Sequence, residues 1–377
     1  MKILHINRNY IFNKLNHLII KYLVLKDENS HEVFVPTSFE QKAEAINEEN
    51  VMVCKCFSLK DKFFYFNKQK KIFDALNTKC NIENYNLIHA YTLFTDGNCA
   101  YNCKRKYGIP YVVAIRNTDI NDFLKKIPFF RKKGIRIMEN AERIFFLSNC
   151  YKKIVCEKYV PKSKVPLLQE KMIVIPNGVD AFWLQNKNSS VSKQTLTRLK
   201  NKEVTFIYAG RIDKNKNIES SVHAIELLQK NGYKISFLVV GKNEDNTVLT
   251  KIMDYPFVKY LGCLEKENLI TVYRKADIFI MPSLTESFGL SYVEAMTQGL
   301  PVIYTRNQGF DGQFAEGIVG FHVNPKDVED IYSKILMILL NYAEISNNCL
   351  IESDKYNWDV IADKYIDIYH NILSKRG

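Results

Sequence analysis

The feature that most constrains this chain is an alternation, almost from end to end, of short apolar runs with longer amphipathic stretches. In the first half the runs are Ile3–Ile6, Glu32–Val35, Leu87–Ala90, Tyr111–Ile115, Ile144–Leu147 and Met172–Ile175. In the second they are Val204–Ala209, Ile235–Val240, Val258–Leu261, Asp277–Met281 and Pro301–Thr305. β-Branched and aromatic residues dominate them, which favours strands. A strand apolar on both sides of its pleat needs cover on both faces, as in a parallel sheet flanked by helices. At 377 residues the chain exceeds one ordinary domain. It therefore reads as α/β, two doubly wound Rossmann-like domains in series. Pro176-Asn177-Gly178 is a turn signal and Asn186–Lys193 a polar, serine-bearing stretch. These place a first domain at 1–176 and a second at 177–355. Residues 356–377 read as a C-terminal helix returning toward the first domain, with helical spacing at Ile361, Tyr365, Ile368 and Ile372. The aromatic run Phe57–Phe66 reads as core and loop packing.

Charge separates the halves. Residues 1–180 hold 30 Lys and Arg against 18 Asp and Glu, and the remainder holds 23 of each, so the first half carries the whole net charge of +12. Such asymmetry points to an anionic partner: a membrane surface, a phosphorylated acceptor or nucleic acid. Nine scattered cysteines lack zinc or redox spacing and read as buried thiols of a reducing, cytoplasmic protein. The N-terminal apolar run is broken at Asn7, Arg8 and Asn9, and no run approaches the roughly 18 residues of a membrane span. Membrane contact is expected to be peripheral, with the inner membrane face as its place.

The segment from Met281 to Ile303 is the most informative. A buried strand ends near Met281, a loop carries Glu286, Ser287, Phe288 and Gly289, and a helix runs from about Leu290 to Gln298 before Gly299 ends it. Doubly wound sheets bind ligands at the carboxyl ends of their strands, and glycine beside a helix N-terminus lets backbone amides approach an anion. A carboxylate here would repel phosphate unless it faced hydroxyls, so Glu286 and Glu294 suggest a polyhydroxylated ligand joined to phosphate, such as a nucleotide sugar. The alternative is that Glu286 merely favours the helix N-terminus and Glu294 is a solvated helix residue. Ala209–Asn217 also follows an apolar strand and offers the fork of Arg211 and the point charge of Lys216. Alone it could be an ordinary basic loop. Together with the Glu286 segment at the same sheet edge, it could neutralise a diphosphate leaving group without metal.

These residues resemble the retaining glycosyltransferases of family 4. The pattern is Gly210-Arg211 with Lys216, then Glu286, Gly289-Leu290, Glu294-Ala295-Met296 and Gly299-Leu300-Pro301-Val302. Ile88-His89-Ala90-Tyr91, Ile175 through Asp180 and the closing Trp358 helix match more loosely. The resemblance implies the GT-B fold, two Rossmann-like domains facing a central cleft. It implies that the amides around Phe288, Gly289 and Leu290, with Arg211 and Lys216, hold the donor diphosphate, while Glu286 meets the sugar hydroxyls and Glu294 the ribose. It implies transfer with retention, the leaving phosphate assisting deprotonation of the acceptor. Where relatives usually carry a histidine after the Tyr111 strand, this chain has Arg116 and Asn117, so the first-domain wall of the cleft would be Arg116, Asn117 and Asp119, with His89. By its residues alone His89 is as well read as a structural group, and Arg116 as a partner of Asp119. Where many relatives have a glycine-rich loop, Ile6 to Ile11 has no glycine, which leaves Arg8 or Asn9 to approach from further away.

Lys125, Lys126, Arg131, Lys132, Lys133 and Arg136 are interleaved with Ile127, Phe129, Phe130, Ile135, Ile137 and Met138, the mixture an interfacial segment needs at anionic headgroups. Pro128 and Gly134 argue against one clean helix, and a solvated basic face is the alternative. No Asp-x-Asp follows an apolar strand and no His/Cys cluster has ligand spacing, so no metal is expected. The reading is a hexosyltransferase moving a sugar from a nucleotide diphosphate donor, UDP- or GDP-linked, to a saccharide or lipid-linked acceptor in cell-surface polysaccharide synthesis. No nucleic-acid partner is expected. The alternative is a non-catalytic sugar- or partner-binding protein on the same fold.

Overall fold

Every apolar run of the first half becomes a strand of one parallel sheet. A computed structural model describes residues 1–39 and 48–375, the side chains of Lys62 and Phe63 excepted. The last two residues of the segment 356–377, and the Phe63 side chain within Phe57–Phe66, lie outside the described residues. Met1–Gly178 with Trp358–Gly377 forms one unit and Val179–Asn357 a second.

In the first unit the strands are Lys2–Ile6 (β1), Ser30–Thr37 (β2), Val51–Lys55 (β3), Leu87–Ala90 (β4), Tyr111–Ala114 (β5), Arg143–Phe146 (β6) and Met172–Val174 (β7). They lie in the order β3-β2-β1-β4-β5-β6-β7. Alternate residues serve opposite faces. Leu4 and Ile6 of β1 join a core layer with helices Tyr65–Lys79 (α2), Asp96–Tyr107 (α3) and Phe129–Asn140 (α4), whereas Ile3 joins one with helix Lys14–Lys26 (α1) and the C-terminal helix Trp358–Leu373. Trp358, Ile361, Tyr365, Tyr369 and Ile372 are the buried face of that last helix. Pro128 caps α4 without stopping it, and Gly134 lies buried inside it, so the basic segment is a π-helical turn, Asp119–Leu124, followed by a regular helix.

The second unit holds Glu203–Ala209 (β8), Lys234–Val240 (β9), Val258–Tyr260 (β10), Ile278–Ile280 (β11), Val302–Thr305 (β12) and Gly320–Val323 (β13), ordered β10-β9-β8-β11-β12-β13. β8 and β11 pair in parallel, with Ile278 beside Phe206, so the loops that follow Ala209 and Ile280 leave the same sheet edge side by side. Two strands lie outside the apolar runs read from the sequence: β3 and β13. Both are sheet edges; β3 is only partly buried, and His322 interrupts β13.

Candidate active site

The loops after β8 and β11 are stitched together by side chains that read backbone. Asn215 Oδ1 accepts from Thr285 N–H at 3.1 Å and its Nδ2 donates to Thr285 O at 2.9 Å, while Leu284 N–H donates to Asn215 O at 2.7 Å. Asn217, in the left-handed conformation at φ 54°, donates to Pro282 O and Pro325 O. The result carries Lys216 onto Glu286, Nζ to Oε2 2.6 Å, each side chain 13% exposed. Arg211 stands apart, 65% exposed, its guanidinium 3.7 Å from Asp213. Both basic groups therefore lie on loops at one carboxyl edge, one engaged and one open to water.

Helix Leu290–Thr297 begins at Gly289, whose φ of 83° suits only glycine. A Cβ there would stand 2.3 Å from the Tyr292 ring and 3.2 Å from Glu286 Cγ. No side chain caps this helix and no acidic residue occupies its first turn, so its leading amides and dipole are available to an anion. Phe288 is buried against Phe310 and Tyr356, which fixes the backbone of the loop while Ser287 stays exposed. Gly309 supports the loop from behind. Its N–H donates to Glu286 O at 3.0 Å, Gln308 Oε1 accepts from Glu286 N–H at 3.0 Å, and a Cβ on Gly309 would fall 1.9 Å from Ser287 O.

Glu294 lies one turn into the helix, with Tyr273 OH 3.5 Å from Oε2. Burial, with the charge of Asp180 added, pushes its carboxyl up to about 7. It is a sunken carboxyl rather than a solvated helix residue, suited to exchanging hydrogen bonds with a hydroxyl. The sequence reading missed Asn215, Asn217 and Gln308, and only Asn217 carried a local sign, as asparagine ahead of a helix.

In the first unit the structure corrects two assignments. His89 is fully buried, its Nδ1 2.6 Å from Tyr369 OH, and burial keeps it well below its ordinary pKa, so it lines no ligand site. Asp119 is 2% exposed and accepts from the backbone N–H groups of Arg116, Leu93 and Phe94 at 2.9, 3.0 and 3.3 Å. It ties the loop after β5 to the loop after β4 beneath the surface rather than standing as an exposed wall residue, and burial raises it to about 6. Arg116 bonds Asp119 through its backbone N–H, while its guanidinium Nε donates to Tyr91 O at 3.2 Å. Asn117, half-buried at the same edge, pairs with Asn121. A further buried carboxyl, Asp96, accepts from Thr92 Oγ1 and from Arg8 N–H and is pushed up to about 7 by burial.

The basic segment is divided. Lys126 pairs with Asp122 at 2.6 Å, and Arg131 turns inward, Nε donating to Leu124 O with the guanidinium 5.2 Å over the Tyr159 ring. Lys125, Lys132 and Lys133 remain toward the surface. Among the described residues one group could share a metal ion, Asp311, Glu316 and His322, on the β12–β13 connection and at the start of β13. His322 Nδ1 lies 2.9 Å from Asp311 and 3.3 Å from Glu316.

Comparison with known proteins follows the two units. Residues 193–356 match the family described as "Glycosyl transferases group 1", and residues 26–181 match "Glycosyltransferase Family 4". The chain is 24% identical over 306 residues to the alpha-monoglucosyldiacylglycerol synthase of Acholeplasma laidlawii, covering 77% of this chain and 76% of that one. Among solved structures it is similar to sucrose-phosphate synthase from Thermosynechococcus elongatus, with TM-score 0.74, 17% identity and full coverage of both chains. It is also similar to Anabaena HepE in complex with UDP and glucose, with TM-score 0.63, 17% identity and coverage of 98% and 100%.

Proposed function

Because the chain belongs to the family 4 glycosyltransferases and uses a nucleotide sugar to glycosylate an acceptor, we propose that it is a retaining hexosyltransferase whose donor site is the paired loops of the second unit. The observation that carries this reading is the Lys216–Glu286 pair beside the uncapped helix at Gly289. The amides of Gly289 and Leu290, the Arg211 fork and Lys216 would hold the donor diphosphate, and the positive charge they supply is what a departing diphosphate needs. Glu286 would accept from hydroxyls of the transferred sugar and Glu294 from the ribose. The sugar–phosphate bond breaks, the acceptor hydroxyl attacks the same face, and its proton passes to the leaving phosphate oxygen.

UDP is the first donor base to test, since the similar HepE structure holds UDP; GDP is the second. The acceptor is proposed to be a saccharide or a lipid-linked molecule of cell-surface glycan synthesis, met at the inner membrane face. Support comes from the positive first half and from a relative named as a synthase of a monoglucosyl diacylglycerol. No helix among the described residues is long and apolar enough to cross a membrane, so such contact would be peripheral. The experiment is incubation with UDP-glucose, UDP-galactose or GDP-mannose and candidate acceptors, following nucleoside diphosphate release and the product's anomeric configuration by NMR. Retained configuration, lost turnover in Glu286→Gln and no need for added metal support the reading. An inverted product overturns the retaining assignment.

A further inference from the structure

One surface of the first unit joins exposed aromatic carbon to uncompensated charge. Phe66 is 59% exposed at the start of α2 and Phe129 is 73% exposed at the start of α4. Large apolar side chains gathered at a surface mark a place that something covers. They are held in place: Phe66 stacks on Phe130 with centroids 6.4 Å apart, Phe129 meets Phe130 at 6.0 Å, and Lys133 Nζ lies 4.8 Å from the Tyr65 ring and 5.0 Å from the Phe66 ring.

Between these rings runs a groove of about 330 Å³ shared by α2, α3 and α4 and lined by Phe66, Arg105, Phe129, Lys132, Lys133 and Arg136. Among the described residues no carboxylate lies within ion-pair distance of any of these four cations. Lys133 is half-buried beside Arg136, and burial together with that like charge holds its ammonium below the ordinary value. The groove thus concentrates positive charge that no carboxylate among the described residues pairs with, with aromatic rims on either side.

We propose that this α2–α3–α4 face docks on an anionic phospholipid bilayer, Phe66 and Phe129 entering the headgroup layer while Arg105, Lys132, Lys133 and Arg136 hold lipid phosphates in the groove. The inference rests on the membrane-surface reading above and gives it a location. Charge complementarity selects the occupant: four cations without carboxylates fit a sheet of phosphates, and rings beside cations are the composition of an interfacial surface. Protein interfaces, by contrast, are depleted in lysine. Lys126 and Arg131, spent on Asp122 and Leu124, take no part.

The test is cosedimentation of the full chain with vesicles of phosphatidylcholine alone or with about one third phosphatidylglycerol. Each basic residue at an anionic surface is expected to change binding about five-fold. Lys132→Gln/Lys133→Gln/Arg136→Gln should therefore weaken binding to the anionic vesicles about 100-fold, and Phe66→Ala/Phe129→Ala at least ten-fold. A charge-matched triple on the second unit, Lys200→Gln/Lys230→Gln/Lys234→Gln, should leave binding unchanged. Anionic-vesicle binding weakened equally by the two triples would overturn the proposed face and leave the membrane reading standing. Binding to neither vesicle would overturn both. Self-association in sedimentation velocity, abolished by the Phe66/Phe129 variant, would replace the bilayer with a second copy of the chain.

Discussion

Lys216 Nζ donates to Glu286 Oε2 at 2.6 Å, joining the loop after β8 to the loop after β11. With each side chain 13% exposed, neither charge is well solvated without the other. In the proposed reaction both groups acquire new partners, phosphate for Lys216 and sugar hydroxyls for Glu286. The pair therefore holds the ligand-free site in shape.

Lys216→Met should destabilise the ligand-free protein by about 1–3 kcal/mol, because Glu286 is left without its cation. The double variant Lys216→Met/Glu286→Gln should recover part of that loss. Urea unfolding measures both; a double variant no better than the single would deny the coupling.

Arg211 is the opposite case. At 65% exposure and 3.7 Å from Asp213 it contributes little to folding, so Arg211→Ala should leave stability within about 0.5 kcal/mol of the parent. Diphosphate affinity, measured by titration calorimetry, should fall roughly 10- to 100-fold through the lost charged hydrogen bonds. A loss of stability without a loss of affinity would mark it as structural.

Gly289→Ala would place a Cβ 2.3 Å from the Tyr292 ring at φ 83°. The conformation alone costs about 1–2 kcal/mol, and the clash must displace either the loop or Tyr292. Nucleotide affinity should drop at least ten-fold, as read by calorimetry. Parent-like affinity would show that the helix start does not touch the donor.

Asp96 gives a pH signature. Its carboxyl is raised from 3.8 to about 7 by burial, so its favourable contribution is complete below 3.8 and is lost as pH rises through about 7. Asp96→Asn, which cannot ionise, should gain on the parent by up to about 1.4 kcal/mol per pH unit between pH 3.8 and about 7, and the gain should level off above that. Melting curves across this range test it; a constant difference would mean that the carboxyl is not desolvated.

Much of this was legible in the sequence because apolar runs report burial directly. Eleven runs became strands, whereas two edge strands went unread: β3 is a short run only partly buried, and β13 opens on a glycine and is interrupted by His322. The helix start at Gly289 was legible because capping is local. Asn215 reading Thr285 and Gln308 reading Glu286 were not, since such bonds join segments far apart in the chain and leave no spacing behind. His89 and Asp119 show the converse limit: a polar residue at a strand's end can face a ligand or turn under the next loop, and local sequence is the same for both.

The central claim is that the loops after β8 and β11 bind a nucleoside diphosphate sugar. The most direct measurement is thermal unfolding of the protein and of Arg211→Ala against UDP, GDP, ADP and CMP and their common sugar conjugates. A ligand at about 100 times its dissociation constant should stabilise the parent by about 2.7 kcal/mol. The account predicts that one diphosphate and its sugar conjugate do so, and that Arg211→Ala loses the effect. Stabilisation by none of them, or by one of them equally in parent and variant, would contradict it.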